Sequence, residues 1–537
     1  MFAFADAVNM YDRRHGYALP TRREFLKVLL AGSISMTVPG AAADQSTKVS
    51  PVNRKPNILF IMADQYRADC LGCDGFDKLT AGGNPVIKTP NLNRLAREGA
   101  LFTRAYTSTP SCTPARAAIL TGQSPWHHGM LAYGRIAEQY NFELPRAMCD
   151  AGYYTYAIGK LHYHPERNYH GFRDAMLDES RRAETAGFVS DYLKWFKEKA
   201  PYLDPYATGI GSNDYRAGEY ALPEELHPTY WTGETAVSFI REYERDEPFF
   251  LNVSFARPHS PYDPPKKFFD MYKDGKMPPP HVGKWAEKYA PFESRENYSL
   301  WHGDLGIEQV RRSRRGYYGA ITFIDEQIGL ILKALEERKM LENTLILFTS
   351  DHGDMMGDHH LWRKSYAYEG SARIPMIIRW PKSMELEGER GMKISNTAEL
   401  RDLLPTFLEA AGASIPESVD GMSMLQLIRG NTDGWREFID LEHGVCYADE
   451  NQWNALTDER WKYIYHSYDG SQQLFDLEND PGELNDLASD PSYTRTLNYW
   501  RRRLIKHFSE RGEPFVVNGD LGIRREKILY SPNYPGK

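Results

Sequence analysis

Cysteine is scarce in this chain, with five in 537 residues, at positions 70, 73, 112, 149 and 446. That is too few for a disulfide framework, and no histidine pair stands at finger-like spacing from them, which excludes a structural zinc module. A basic excess is also missing. Lys and Arg number 65 against 73 Asp and Glu, a formal net charge of -8, so no domain-wide positive field recommends nucleic acid as a partner. An anionic ligand would need a locally positive pocket. No apolar run past the N-terminus reaches membrane-spanning length, so stable membrane insertion is not expected. Internal repeats and low-complexity segments are absent. What remains is ordinary globular composition, 41% hydrophobic and 26% charged, with length for one large α/β domain and a smaller one.

The N-terminus carries the first positive signal. Thr21-Arg22-Arg23-Glu24-Phe25-Leu26-Lys27 precedes a modest apolar run from Val28 to Val38, then Pro39-Gly40-Ala41-Ala42-Ala43 and Asp44. Twin arginines, Phe-Leu-Lys, an apolar core too short to span a bilayer and an A-x-A site resemble a twin-arginine export signal over residues 1–43. Arg13-Arg14 lacks that downstream pattern. The expectation is export by the twin-arginine translocase, already folded, to the periplasm or outside. Cys70 and Cys73 form a C-x-x-C without the aromatic and proline surroundings of a redox motif, and two small buried thiols explain them as well. The densest basic stretch, Arg311-Arg312-Ser313-Arg314-Arg315, lies in an expected helix and reads as a solvated face; a sulfated or phosphorylated polymer is the alternative user.

Four apolar runs rich in β-branched and aromatic residues end abruptly in polar ones. Asn57 to Ala63 runs into Asp64-Gln65, Tyr154 to Ile158 into Gly159-Lys160-Leu161-His162, Phe249 to Phe255 into Ala256-Arg257-Pro258-His259, and Thr344 to Ser350 into Asp351-His352-Gly353-Asp354. Continuous hydrophobicity marks strands covered on both faces, as in a largely parallel sheet. Helical patterns such as Leu92 to Gly99 and Ala320 to Glu337 lie between them. The predicted fold is α/β, a large, mostly parallel, doubly wound sheet over residues 44–430. Ligands of such sheets bind at the carboxyl ends of the strands, where all four runs deliver their polar residues. Over residues 431–537 the pattern shifts to a smaller α+β subdomain containing an antiparallel sheet. Trp461 to Leu477 reads there as a hairpin turning at Asp469-Gly470, followed by a helix from Thr494 to Glu510.

Between these strands lies Ser111-Cys112-Thr113-Pro114-Ala115-Arg116-Ala117-Ala118-Ile119-Leu120-Thr121-Gly122. Thr113 is the expected N-cap and Pro114 the first residue of a helix that stops at Gly122. Cys112 then sits at the positive end of a helix, where an anion is welcome, with Arg116 one turn in and able to lean back toward it. On geometry alone, an inert buried cysteine at a helix start reads the same way. The letters are more specific: C-T-P-A-R followed by L-T-G resembles the signature of the formylglycine-dependent (type I) sulfatase family of the alkaline phosphatase superfamily. In that family the cysteine of C-x-P-x-R is oxidised to formylglycine. The resemblance covers nearly all of the chain after the signal, in order. It includes Asp64-Gln65, "GKLH" at 159–162, "ARPHSPY", "SDHGDMMGDHHLWRKSYAYEGSARIP", "LRDLLPTFLEAAG" and "FDLENDPGELNDLA".

The resemblance implies a sulfuric ester hydrolase in which the hydrated aldehyde at Cys112 offers two hydroxyls on one carbon. One attacks sulfur and displaces the alcohol, and the other loses its proton so that sulfate is expelled. It implies a divalent cation held by Asp64, Gln65, modified Cys112, Asp351 and His352. Gln65 and His352 depart from the Asp-Asp and Asp-Asn pairs of many sulfatases. Two carboxylates and an amide suit calcium, and the imidazole shifts some weight toward manganese. Lys160 and Lys364 are expected to hold sulfate oxygens, His259 to be the acid for the leaving alcohol and His162 the base for the geminal hydroxyl. Arg116 is expected to steady the aldehyde hydrate and His128 to stand beside the nucleophile, with His127 only spacing. His359, His360 and His443 could reach the site or support it from behind. A formylglycine-generating enzyme or radical maturase is an implied partner.

Three functions follow from these residues. The first is an exported sulfatase acting on a sulfated small molecule or saccharide. The second is a phosphonate monoester or phosphodiester hydrolase of the same superfamily, favoured by Gln65 and His352 and disfavoured by the two-lysine, two-histidine cradle. The third is a non-catalytic binder of sulfated glycans in which Cys112 stays a thiol, against which the complete catalytic set argues. Specificity is expected in the segments 174–226 and 274–303.

Overall fold

The computed structural model describes residues 55–72, 86–274, 277–445 and 447–536, all within one compact unit, Asn53–Lys537. The export signal, Cys73 and Cys446 lie outside the described residues. Eight strands form the main sheet: β1 (Asn57–Asp64), β2 (Ala100–Phe102), β3 (Tyr154–Gly159), β4 (Asp174–Leu177), β5 (Phe249–Pro258), β6 (Thr344–Thr349), β7 (Met376–Arg379) and β8 (Met392–Ile394). Their order across the sheet is β8-β2-β7-β6-β1-β5-β3-β4. All pairs are parallel except those of β7 with β2 and β6.

Alternate residues of β1 explain why its run is continuously apolar. Ile58, Phe60 and Met62 face one core with Phe407 and Leu404. Leu59, Ile61 and Ala63 face the other, with Ile321, Ile324 and Ile328. Each face is covered by helices, so every position from Ile58 to Asp64 is buried. Phe407 stands 5.4 Å, ring to ring, from both Phe60 and Phe250, and truncating it to alanine would cost about 3–5 kcal/mol.

The helices begin earlier than the periodicity suggested. Helix α1 spans Pro90–Arg97, α2 Cys112–Thr121, α3 Pro228–Glu242 and α4 Ile307–Glu337. The opening turns of α4 are polar; the expected solvated face holds for Arg311 and Arg312, which are exposed, and is corrected for Arg314, which is buried, and Arg315, which is half-buried. Arg314 is buried against Asp358 at 2.7 Å. Arg312 donates to the Ala217 carbonyl at 2.9 Å, and Arg315 to the Phe269 carbonyl at 2.7 Å and Asp270 at 2.8 Å. Arg311 alone keeps a surface pair, with Glu308 at 2.8 Å.

A second sheet, β9 (Ile439–His443), β10 (Trp453–Thr457), β11 (Trp461–His466) and β12 (Gln472–Asp476), is antiparallel in sequential order. One face packs Leu456, Tyr463 and Leu474 on Trp500 and Leu504 of α5 (Thr494–His507). The other puts Leu441, Trp453 and Phe475 against Tyr366 and Tyr368 of the catalytic segment. Among the described residues no helix is long and apolar enough to cross a membrane.

Candidate active site

Because β1, β3, β4, β5 and β6 run parallel, their carboxyl ends meet at one edge, and the residues just beyond them converge there. Gly159 ends β3 at φ 96°, a conformation natural to glycine. A Cβ there would collide with the Ser254 carbonyl oxygen, so this tight crossing sets where Lys160 enters the pocket.

Helix α2 delivers residue 112. Its N-cap is Ser111, in extended conformation, rather than Thr113, whose hydroxyl instead accepts from the Gly134 amide at 3.2 Å. Cys112 is therefore the first helical residue. Gly122 closes the helix at φ 68°, its amide donating to Ala118 at 2.8 Å.

Asp64, Cys112, Asp351 and His352 bring one ligand atom each within 4.8 Å of one another, and all four are buried. The Cys112 Sγ is 3.2 Å from His352 Nε2 and 4.0 Å from Asp64 Oδ1. His352 Nε2 lies 3.8 Å from Asp64 Oδ1 and 3.7 Å from Asp351 Oδ1. The Nδ1 of His352 stands 2.9 Å from the Gly353 carbonyl. A carbonyl only accepts, so Nδ1 carries a proton and Nε2 is the nitrogen that faces the carboxylates. Against burial, Asp351 and Cys112 raise the pKa of this imidazole, which favours a second proton on Nε2 that a divalent cation would displace. Ligand atoms converging on one point, with a backbone bond orienting the ring, fit such a cation.

Three cations surround these anions. Lys160 Nζ is 2.5 Å from Asp64 Oδ2. Arg116 donates to Asp351 Oδ2 at 3.1 and 3.2 Å, to Asp64 Oδ2 at 3.3 Å and to the Lys160 carbonyl at 2.5 Å. This guanidinium braces the two carboxylates, which differs from the expectation that it leans on residue 112. Burial works to raise the Asp64 pKa, but Lys160, His259, Arg116 and His352 hold it well below the carboxylate range. Burial and Asp64 push the Cys112 thiol up, yet Lys364, Lys160 and His352 prevail and bring it to about 6. The pocket therefore favours negative charge on residue 112.

Lys364 Nζ donates to His259 Nε2 at 2.7 Å and to Gln65 Oε1 at 2.9 Å, and His259 Nδ1 lies 2.9 Å from the Ser260 carbonyl. The imidazole proton is thus on Nδ1, and the proton nearest Nε2 belongs to Lys364. Burial lowers the pKa of both groups, and Lys364 depresses His259 further. A proton at this wall is therefore held between the two groups rather than by His259 alone. Gln65, expected as a metal ligand, is instead engaged at both ends of its amide: Nε2 donates to Asp354 Oδ2, which also accepts from Tyr262 at 2.6 Å, and Oε1 accepts from Lys364.

His162 is held by its backbone amide on Glu179, at 3.0 and 3.1 Å, while its Nε2 accepts from Arg182. A guanidinium only donates, so the ring proton sits on Nδ1, which is buried without a hydrogen-bond partner among the described residues. Burial, Arg182 and Lys160 keep this imidazole neutral. His128 departs from expectation. Its Nδ1 accepts from the Met130 amide at 3.2 Å, and after burial its charged neighbours are Asp420, Arg401 and His127, none of them in the Cys112 cluster. His127 pairs with Asp420 at 2.7 Å. His359 lies in a different wall, where its Nδ1 accepts from the Gly283 amide at 3.3 Å beside the Trp285 ring, whereas His443 is buried and senses the charge of His352.

Glu179 and Arg182 are not singled out by the sequence, although both fall in the 174–226 segment where specificity is expected, and Asp354 is placed at the strand edge without a role. Glu179 follows the end of β4, so the strand-edge rule that found the others reaches it. No residue type or spacing marks Arg182 within its segment.

The fold and site define a hydrolase of the alkaline phosphatase superfamily. Residues 56–413 match the sulfatase family model, and 357–510 match the N-sulphoglucosamine sulphohydrolase C-terminal model. An arylsulfatase of Clostridium perfringens is 41% identical over 87% of this chain and 97% of its own length. A choline-sulfatase of Rhizobium meliloti is 33% identical over 81% and 83%. In structure, the phosphonate monoester hydrolase of Agrobacterium radiobacter superposes with a TM-score of 0.71 at 25% identity, covering 88% of this chain and 100% of that one. The chain belongs to the sulfatase family and is a sulfuric ester hydrolase.

Proposed function

We propose that the protein removes sulfate from a sulfated saccharide using Cys112 converted to formylglycine, with Ca²⁺ held by Asp64, Asp351, His352 and residue 112. The observation that carries this reading is the buried convergence of those four side chains inside a ring of Lys160, Lys364 and Arg116. The hydrated aldehyde supplies two hydroxyls on one carbon, one for attack on sulfur and one for release of sulfate. The cation, when bound, lowers the pKa of the attacking hydroxyl and holds a sulfate oxygen. Mn²⁺ is the alternative ion, favoured by the imidazole.

The chain's own groups do the rest. Lys160 and Lys364 bind sulfate oxygens and offset the cost of bringing an anion into a buried pocket. Lys364 and His259 share one proton at Nε2, and that proton passes to the leaving alcohol. His162, neutral with its proton on Nδ1, donates to an oxygen at residue 112. To serve as the base it accepts the hydroxyl proton at Nδ1, the ring proton having moved to Nε2 once Arg182 withdraws from that nitrogen. Arg116 keeps Asp64 and Asp351 ionised and oriented. Export by the twin-arginine route to the periplasm or outside, after conversion by a formylglycine-generating enzyme or radical maturase, completes the proposal.

A second reading, hydrolysis of phosphonate monoesters or phosphodiesters, is favoured by Gln65 and His352 and by the likeness to the Agrobacterium enzyme. Lys160 and His162 weigh against it. Turnover of an aryl sulfate and an aryl phosphonate by one preparation separates the two. The sulfatase reading expects the sulfate ester to be the better substrate by kcat/KM, and the reverse order overturns it.

A further inference from the structure

The cations inside the pocket are all committed: Lys160 to Asp64, Arg116 to two carboxylates, Lys364 to His259 and Gln65. Arg182 is different. It lies on the turn after β4, where Asp178 and Glu179 are buried and Ser180 and Arg181 both take positive φ, 49° and 72°. Non-glycine residues in that region carry strain of a kind that collects at ligand clamps, and here consecutive arginines part, Arg182 toward His162 and Arg181 toward Tyr206.

The Arg182 side chain is 33% exposed. It reaches inward to His162 Nε2 and sideways to the Tyr133 hydroxyl, with its guanidinium carbon 5.4 Å from the Tyr133 ring centroid. Burial opposes its charge, while Cys112 and Tyr133 favour it, so it feels residue 112. Its carboxylate partner is Glu184, at 3.2 Å and equally exposed. Glu184 is shared with Arg135 at 3.9 Å and His164 at 3.5 Å, and a solvated pair of this kind holds an arginine weakly. Arg181 beside it stacks 4.0 Å from the Tyr206 ring centroid and makes no ion pair among the described residues. Tyr133, 41% exposed, adds a flat face at the same rim. A planar two-pronged donor next to an open ring suits a ring-shaped ligand bearing an oxyanion.

We propose that Arg182, supported by Arg181, is the specificity-determining residue of the pocket mouth: it binds a second anionic group, a carboxylate or a second sulfate, on the alcohol that leaves. This deepens the sulfate-ester reading and rests on it. A substrate whose leaving group is neutral has no contact to make there.

The test compares kcat/KM for three sulfate esters: one with a neutral leaving alcohol, one whose alcohol carries a carboxylate, and one whose alcohol carries a second sulfate. Wild type is expected to prefer at least one doubly charged ester. In Arg182→Gln that preference, expressed as a ratio to the neutral-alcohol ester, falls about 10- to 100-fold, chiefly through KM. Arg182→Lys restores part of it. Using the ratio cancels any common effect of disturbing His162. The arm that loses its advantage identifies the anion. A ratio unmoved in Arg182→Gln, with all esters slowed alike, overturns the proposal and leaves Arg182 a support of His162. Should that variant not fold, the wild-type salt dependence decides: kcat/KM for the preferred doubly charged ester must fall more steeply with ionic strength than for the neutral-alcohol ester, and equal slopes overturn the proposal. If wild type turns over no sulfate ester at all, the failure lies with the sulfatase reading.

Discussion

Asp351 and Asp358 lie in one loop after β6, both buried, both paired with arginine, and they do opposite jobs. Asp358 is saturated: Oδ2 accepts from Arg67 at 2.7 Å, and Oδ1 from Arg314 at 2.7 Å and the His281 amide at 2.9 Å. Burial works against its charge, yet Arg67 and Arg314 bring its pKa down from 3.8 to about 2. Asp351 gives Oδ2 to Arg116 and Oδ1 to the amides of Gln65 and His352, at 3.1 Å each, yet that Oδ1 also stands 3.7 Å from His352 Nε2, which lies 3.8 Å from Asp64 Oδ1. The Asp358 cluster is directed at its own arginines. The Asp351 cluster gathers two carboxylates, a thiol and an imidazole nitrogen around one point, an arrangement that fits a cation. Buried charge alone does not mark a site; buried ligand atoms converging on one point do.

The sharpest way to break this contrast is at residue 112. Cys112→Ala should lower turnover of an aryl sulfate by ~10⁴-fold or more, while unfolding free energy moves by no more than ~1 kcal/mol, because the partner it leaves, His352 Nε2, keeps Asp64 and Asp351 beside it. A chelator should abolish turnover in the same way, with activity returning on adding calcium or manganese. The mirror experiment is Asp358→Ala, which leaves buried Arg314 without a carboxylate and Arg67 with Asp69 alone. Denaturant melts should show a loss of about 3–5 kcal/mol, with kcat per folded molecule retained. The sign of its pH dependence follows from the depressed pKa. The stability supplied by Asp358 is fully present above its unfolded value of 3.8 and is lost as pH falls through about 2. The difference in stability between wild type and Asp358→Ala should therefore shrink over that interval.

Smaller effects are expected in the proton-sharing wall. Lys364→Ala and His259→Ala should each reduce kcat by about 10²-fold, and the double variant should be little worse than either, since one proton is shared. Multiplying losses would show separate roles. Least of all, Arg311→Ala removes an exposed pair and should shift stability by less than ~0.5 kcal/mol without touching kinetics.

The sheet was legible because strands buried on both faces must be continuously apolar, and because parallel strands must deliver their last residues to one edge. Asp64, Lys160, His259 and Asp351 could be placed there by that logic alone. The limits of α2 and α4 were less legible, since their first turns are polar and are fixed by tertiary partners: Arg314 looks like a solvated residue until Asp358 is opposite it. Arg116 was assigned to the wrong neighbour for the same reason. Helical spacing aims it toward residue 112, but two carboxylates from other strands outbid a single neutral or weakly charged group. Arg182 was invisible because its position depends on a turn of positive φ built from Ser180 and Arg181, residues that carry no turn signature.

The most direct measurement is mass spectrometry of the peptide spanning Cys112 in preparations of graded activity. The account predicts that turnover rises in proportion to the fraction in which residue 112 has exchanged sulfur for oxygen with loss of two hydrogens, and vanishes where that fraction is zero. A preparation with an intact thiol at position 112 and full turnover of a sulfate ester would contradict it.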